Sequence, residues 1–275
     1  MLDVLAYCSE VNVWTPGVRY AAELAATFGA TLTGVHVSPP WPMHEPAGAP
    51  PSLMAELVAH AQEEVGVAMH AGVRFGDWAR GLGVTSTRWH VALGDPADVL
   101  GVAANWSDLV VIDRRIGDRD DTVDLIRDVL LAGSVCVAVP DHGYAVTRFE
   151  RIVVAFDGSP PSIRALHAAT PLLKRATHVV LLEPGADDDD ENEGAAKPEF
   201  DPLRYLADRG IRAEIETIGC EGGSCAEAIL AASSRNRADL LVSGARGKRR
   251  LGDSRLHELS RHFLDHAGIP VLMAR

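Results

Sequence analysis

The chain has 275 residues, enough for two domains of ordinary size, and its 47% hydrophobic and 23% charged composition describes a packed protein rather than a disordered one. A net charge of −12 at pH 7 and a pI near 5.3 argue against a nucleic-acid partner. No apolar run approaches the roughly 20 residues that span a bilayer, and no basic leader precedes the first apolar stretch, so a cytoplasmic location without a membrane partner is expected.

The chain opens on a short apolar strand, "DVLAYC" (3–8). "GVRYAAELAATFG" has helical spacing and stops at Gly29, a C-cap residue. "TLTGVHV" reads as a strand, the stretch from about Pro51 to Trp78 as a helix, and "TRWHVAL" as a strand. "PADVLGVAANW" is a helix with Pro96 in its first turn. "DLVVI" is a buried strand, "DTVDLIRDVLLAG" a helix, and "VCVAVP" a strand stopped by proline. The proline-rich "WPMHEPAGAPP" before the long helix reads as a connection.

From Arg151 the same order repeats: "RIVVAF" as strand, "SPPSIRALHAATPLLKRA" as helix, "HVVLLEP" as strand. The acidic run "DDDDENE" that follows lacks the glycine and alternating ligands of a calcium loop and reads as a self-repelling surface loop. A short helix around "DPLRYLADRG" precedes "RAEIETI", "CAEAILAASSRN", "DLLVSG", "SRLHELSRHFLDHAG" and "PVLMAR". Strands alternating with helices predict parallel sheets covered on both faces. Two copies predict two doubly wound α/β domains, residues 1–141 and 150–275, joined at Asp141–Glu150. Such sheets bind ligands outside the carboxyl ends of their strands, where the strand order reverses. That directs attention to "DGS" (157–159) and "GARGKRR" (244–250).

The strand ending in Asp157-Gly158-Ser159, the strand running into Gly244-x-x-Gly247, and the closing "HAGIPVLMAR" together resemble a tandem universal stress protein. The resemblance is strong over 151–275 and weak over 3–140. It implies two Rossmann-like domains, each a five-stranded parallel sheet of order 3-2-1-4-5. It also implies pairing of the final strands of two domains, here within one chain as a pseudo-dimer, with a homodimer left open. Nucleotide-binding members hold ATP with the first-strand aspartate, the second-strand backbone and a Gly-x2-Gly-x9-Gly-(Ser/Thr) loop. By that resemblance the second-domain site is Asp157, Leu182, Gly244, Arg246 and Gly247, with His257 and Glu258 where the pattern has Gly and Ser or Thr. A glutamate there sets negative charge against a triphosphate, about 4 kcal/mol at about 4 Å and a protein-surface dielectric. Arg246, Lys248, Arg249 and Arg250 could offset it. In the first half the alignment puts Cys8 at the place of Asp157, Asp113 at that of Gly244 and Ile116 at that of Gly247, so no site of this type is expected there.

Other residues have plainer readings beside sharper ones. Asp157 also suits a turn before a helix, and the basic loop also suits a solvated connection. His257, His262 and His266 share a helix, but solvent exposure outweighs a metal site. Cys220 and Cys225 flank "EGGS" before a helix; ordinary thiols are expected over a redox pair. No Gly-x-Ser-x-Gly elbow, Walker loop or His-Glu-x-x-His motif occurs. The expected function is therefore a stress-response protein that binds, not an enzyme. One impaired site would take ATP or another adenine nucleotide with Mg, or no cofactor at all. The alternatives are a nucleotide-independent interaction module with an unknown protein partner, and a weak ATP hydrolase.

Overall fold

The computed structural model describes residues 3–38, 51–114, 119–140, 149–184, 201–219, 225–245 and 258–275. The chain divides into two compact units, Met1–Tyr144 and Ala145–Arg275.

The first unit runs β1 (Asp3–Tyr7), α1 (Pro16–Phe28), β2 (Thr31–Ser38), α2 (Pro51–Gly81), β3 (Ser86–Leu93), α3 (Pro96–Ala103), β4 (Leu109–Arg114), α4 (Arg119–Leu131) and β5 (Cys136–Pro140). Its strands lie in the order β3-β2-β1-β4-β5, all parallel. The interior strand β4 is buried at every position, which is why "LVVI" carries no alternation. Strand β3 lies at the edge, and exposed positions alternate along most of its length. Helix α1 begins at the N-cap Thr15 with Pro16 behind it and ends at Gly29, whose φ of 61° lies in the left-handed region. The expected helix 96–106 divides: α3 stops at Ala103 and a 3-10 turn covers Ala104–Trp106.

An aromatic cluster fixes α2 to the sheet. Phe75 of α2 lies 5.0 Å from Trp89 of β3 and 5.4 Å from Trp14, which also lies 5.4 Å from Trp78. Gly34 of β2 pairs with Trp89 across the ladder, and a Cβ there would stand 2.6 Å from the indole. Gly34→Ala is therefore expected to destabilise this unit by about 1–3 kcal/mol through overpacking. A fall in urea midpoint at unchanged slope is the check.

The second unit repeats the plan: β6 (Arg151–Ala155), α5 (Pro160–Leu173), β7 (His178–Pro184), α6 (Pro202–Ala207), β8 (Glu214–Ile218), α7 (Cys225–Arg235), β9 (Leu240–Gly244), α8 (Glu258–His266) and β10 (Val271–Ala274). The order β8-β7-β6-β9-β10 is the first unit's order over again, and again parallel. Helix α5 buries Ala165, Leu166, Ala169, Leu172 and Leu173, a single stripe at helical spacing. Each buried leucine contributes about 1.5–3 kcal/mol. Pro171 falls in the last turn, where only one intrahelical bond is lost, so the helix still reaches Leu173.

Candidate functional site

The second unit carries a cavity of about 140 Å³ at the carboxyl ends of β6 and β9, where the strand order reverses. The Asp-Gly-Ser turn builds one side. The Asp157 carboxylate accepts the Ser159 N–H at 3.0 Å, Gly158 takes φ 68°, and Ser159 caps α5. Each residue of the motif thus has a local structural duty, and Asp157 and Ser159 still line the cavity. Leu182 lines it from β7 and Gly244 from β9.

The structure therefore brings together Asp157, Leu182 and Gly244. Arg246, Gly247 and His257 lie outside the described residues, as does the rest of the basic loop. Glu258 heads α8 and is exposed; it is absent from the cavity lining, which its neighbours Leu259 and Ser260 join. In the first turn of a helix its charge is favourable to the helix itself.

Ser260 is the residue sequence reasoning passed over. It is 1% exposed, lines the cavity, and its Oγ has no hydrogen-bond partner among the described residues. Ser162 and Ser243, both 2% exposed, line the same space, but their hydroxyls donate to the carbonyls of Ser159 (2.9 Å) and Gly244 (3.3 Å). A buried hydroxyl without a partner costs about 1–3 kcal/mol, and a ligand atom would relieve that. Its signal in the sequence was slight: a polar residue on the otherwise apolar face of Phe263 and Leu264.

Three helix N-termini converge here. Ser159 and Ser162 come from the start of α5, Cys225 is the first residue of α7, and Leu259 and Ser260 open α8. Their dipoles favour an electron-rich ligand. Phe156, Ile218 and Ile229 supply an apolar wall. Among the described lining residues there is no lysine or arginine.

The first unit differs at the equivalent place. Its hydrogen-bond register corrects the alignment of Cys8 with Asp157. The Cys8 N–H donates to Val35 at 2.8 Å as the Phe156 N–H donates to Leu182 at 2.9 Å, so Ser9 is the counterpart of Asp157. Asp113 does stand at the place of Gly244, since Val4 pairs with Leu109 as Ile152 pairs with Leu240. The Asp113 carboxylate, in a residue 8% exposed, accepts from the Thr15 hydroxyl and from the Gly17 N–H at 2.6 Å. The chain's own anion thus sits on the N-terminus of α1. Among the described residues, the neighbouring cavity, about 600 Å³, is lined by Asp95, Asp113, Asp124 and Asp128 against one Arg127. That arginine is bound to Asp128 at 2.8 Å and Asp124 at 2.5 Å. The carboxylates among these described residues repel phosphate.

Cys8 and Cys136 are free and buried. Burial, and then the charge of Asp113, push the Cys8 thiol far up, and burial pushes Cys136 up to about 12. Neither thiol should react with iodoacetamide at pH 8 until the protein unfolds, which intact mass would show. Cys225, expected to be an ordinary thiol, is disulfide-bonded; Cys220 lies outside the described residues. His262 and His266 stack at 4.2 Å, and no group of His, Cys, Asp and Glu among the described residues is placed to hold a metal ion. No helix among them is long and apolar enough to cross a membrane.

A doubly wound repeat with a cavity at each reversal of strand order defines a class of α/β protein, and places each cavity where such sheets take their ligands. The universal stress protein family matches residues 15–139 and again 148–275, and the chain belongs to that family. No curated protein matches it by sequence. Among solved structures it is similar to a universal stress protein of Archaeoglobus fulgidus, at 16% identity over 99% of this chain and 96% of that one, with a TM-score of 0.68. A Pseudomonas aeruginosa protein described as a universal stress protein matches at 15% identity over 99% and 92%, with a TM-score of 0.57. The cytoplasmic domain of a prokaryotic cation chloride cotransporter matches at 12% identity over 99% and 95%, with a TM-score of 0.52. At these identities the likeness is one of fold, and the fold serves more than one function.

Proposed function

We propose that the protein acts by binding, and that the second unit's cavity takes the ring system of an adenine nucleotide. The observation that carries this is the buried, unpartnered Ser260 hydroxyl in a cavity at the reversal of strand order. At about 140 Å³ the cavity is close to the size of one known to hold a single benzene ring, so it suits a ring and leaves phosphates outside. Asp157 is the acceptor for ligand hydroxyl or amino groups, and the basic loop from Arg246 to Arg250 is the group nearest in sequence that could meet phosphate. Magnesium would then come with the nucleotide. The first unit, with Asp113 on its helix terminus, is structural.

Calorimetric titration with ATP and magnesium, after denaturing a sample to identify co-purified nucleotide, is the test. Binding on the order of micromolar is expected, lost in Asp157→Ala. Ser260→Ala should weaken it about threefold to tenfold, one ordinary hydrogen bond. Absence of heat and of nucleotide would favour the second reading, a nucleotide-independent interaction module, for which the exposed Glu258 at the place of a phosphate-binding hydroxyl speaks. Phosphate release above a Gly247→Asp control would be needed for a hydrolase.

A further inference from the structure

We propose that the α3–α4 face of the first unit is a docking surface for a second copy of this chain, an inference independent of the ligand site. Three large apolar side chains stand in solvent there: Trp106 is 84% exposed, Val102 68% and Leu131 40%. Val102 lies near the end of α3, Trp106 ends the 3-10 turn that follows, and Leu131 is the last residue of α4. The two helices pack together at this point, where a Cβ on Gly101 would stand 3.8 Å from that of Ala132. Scattered exposed apolar residues are ordinary, but a contiguous group marks an interaction site.

The repeat supplies its own comparison. Helices α3 and α7 start at Pro96 and Cys225, and their buried residues keep step, Leu100 and Ala104 with Ile229 and Ser233. Val102 thus corresponds to Ala231, and Trp106 to Arg235, which is bound to Glu216 at 2.7 Å. At the ends of α4 and α8 the Ala132 N–H donates to the Asp128 carbonyl as the Ala267 N–H does to that of Phe263, both at 3.0 Å, so Leu131 corresponds to His266. The fold therefore requires no large apolar side chain at any of the three places. Valine and tryptophan also form helix less readily than the alanine and arginine of the second unit, so local structure does not call for them either.

A second copy fits this face by area and by charge. The three side chains expose on the order of 350 Å² in each copy, so a twofold contact covers about 700 Å² of apolar surface. That is about the apolar share of a roughly 1,200 Å² interface, the lower end for a specific dimer. Residues 101–107 and 129–134 include no charged side chain, so two copies bring no like charges into the middle of the contact. In the twofold arrangement Trp106 of each copy covers Val102 and Leu131 of the other, a tryptophan anchor on an aliphatic pad. An interface of this size gives a weak dimer, with a Kd on the order of 10 µM.

The test is sedimentation equilibrium of the full chain from about 1 to 100 µM, in about 0.15 M salt, where a Debye length of about 8 Å screens the repulsion between chains of net charge −12. A monomer–dimer equilibrium is expected. Trp106→Arg, which installs the residue that the second unit carries, should weaken the dimer about thirtyfold or more, as loss of a central tryptophan does. Val102→Ala should weaken it about threefold to tenfold, whereas Val73→Ala, at a valine 72% exposed on α2, should leave it unchanged. Thermal melts of the variants should match the parent, and if Trp106→Arg fails to fold, Val102→Ala decides. A parent that stays monomeric at about 100 µM overturns the proposal, and so does a dimer that Trp106→Arg and Val102→Ala leave unchanged. Neither result bears on the second unit's cavity.

Discussion

Asp113→Gly is expected to destabilise the first unit by about 2–4 kcal/mol, and Gly17→Ala by about 1–3 kcal/mol, yet the two together should cost at least about 1 kcal/mol less than their sum. The reason is one contact. The Asp113 carboxylate accepts the Gly17 N–H at 2.6 Å, and a Cβ on Gly17 would stand 2.8 Å from that carboxyl group. Removing the carboxylate takes the acceptor from the buried Gly17 N–H and the half-buried Thr15 hydroxyl, and adding the methyl pushes the carboxylate out. With the carboxylate already gone, the methyl has room. Urea melts of the four proteins give the coupling. Strict additivity would mean that the carboxylate is not what holds the start of α1 in place.

Gly244→Ala should destabilise the second unit by about 1–3 kcal/mol or more, for the mirror-image reason. A Cβ there would lie 2.5 Å from the Ser162 nitrogen and 2.6 Å from the Pro161 carbonyl carbon. Backbone cannot swing aside as a side-chain tip can, so α5 must move off the sheet. Thermal melting several degrees below the parent is expected, since about 1 kcal/mol moves a domain of this size by a few degrees. An unchanged melt would show that α5 slides freely, and the cavity that it walls would then lack a fixed shape. In one unit the strand carries the glycine and the helix the bulk; in the other the strand carries Asp113 and the helix carries Gly17. A binding assay on Gly244→Ala separates the two duties of this glycine, because α5 contributes Ser159 and Ser162 to the cavity.

Much of the site was legible before any coordinates. Asp157 and Gly244 follow from the strand ends, Leu182 from the family resemblance, and all three line one cavity. Gly244, expected as a phosphate glycine, has a steric reason in its surroundings as well. Ser260 and Cys225 are not legible as site residues because neither belongs to a motif at a strand terminus. Helix periodicity places Ser260 on a face but does not say what that face meets. Glu258 illustrates the converse: its place in the family pattern suggests contact, but it is exposed, and Leu259 and Ser260 line the cavity instead, since one residue along a helix turns a side chain by about 100°.

The sequence by itself determined the double α/β repeat, because apolar runs of strand length and helical stripes of apolar residues are local patterns that need no partner to be read. It also carried the family and the end of the sheet at which the cavity lies, since both follow from motifs at strand termini. Only the tertiary structure decided that Ser9 rather than Cys8 stands opposite Asp157, because register is a hydrogen-bond relation between strands. It alone showed Asp113 seated on the start of α1, and it alone gathered Ser162, Cys225 and Ser260 around one space. Those are contacts between residues far apart in the chain, and their geometry is set by packing, which no local pattern encodes.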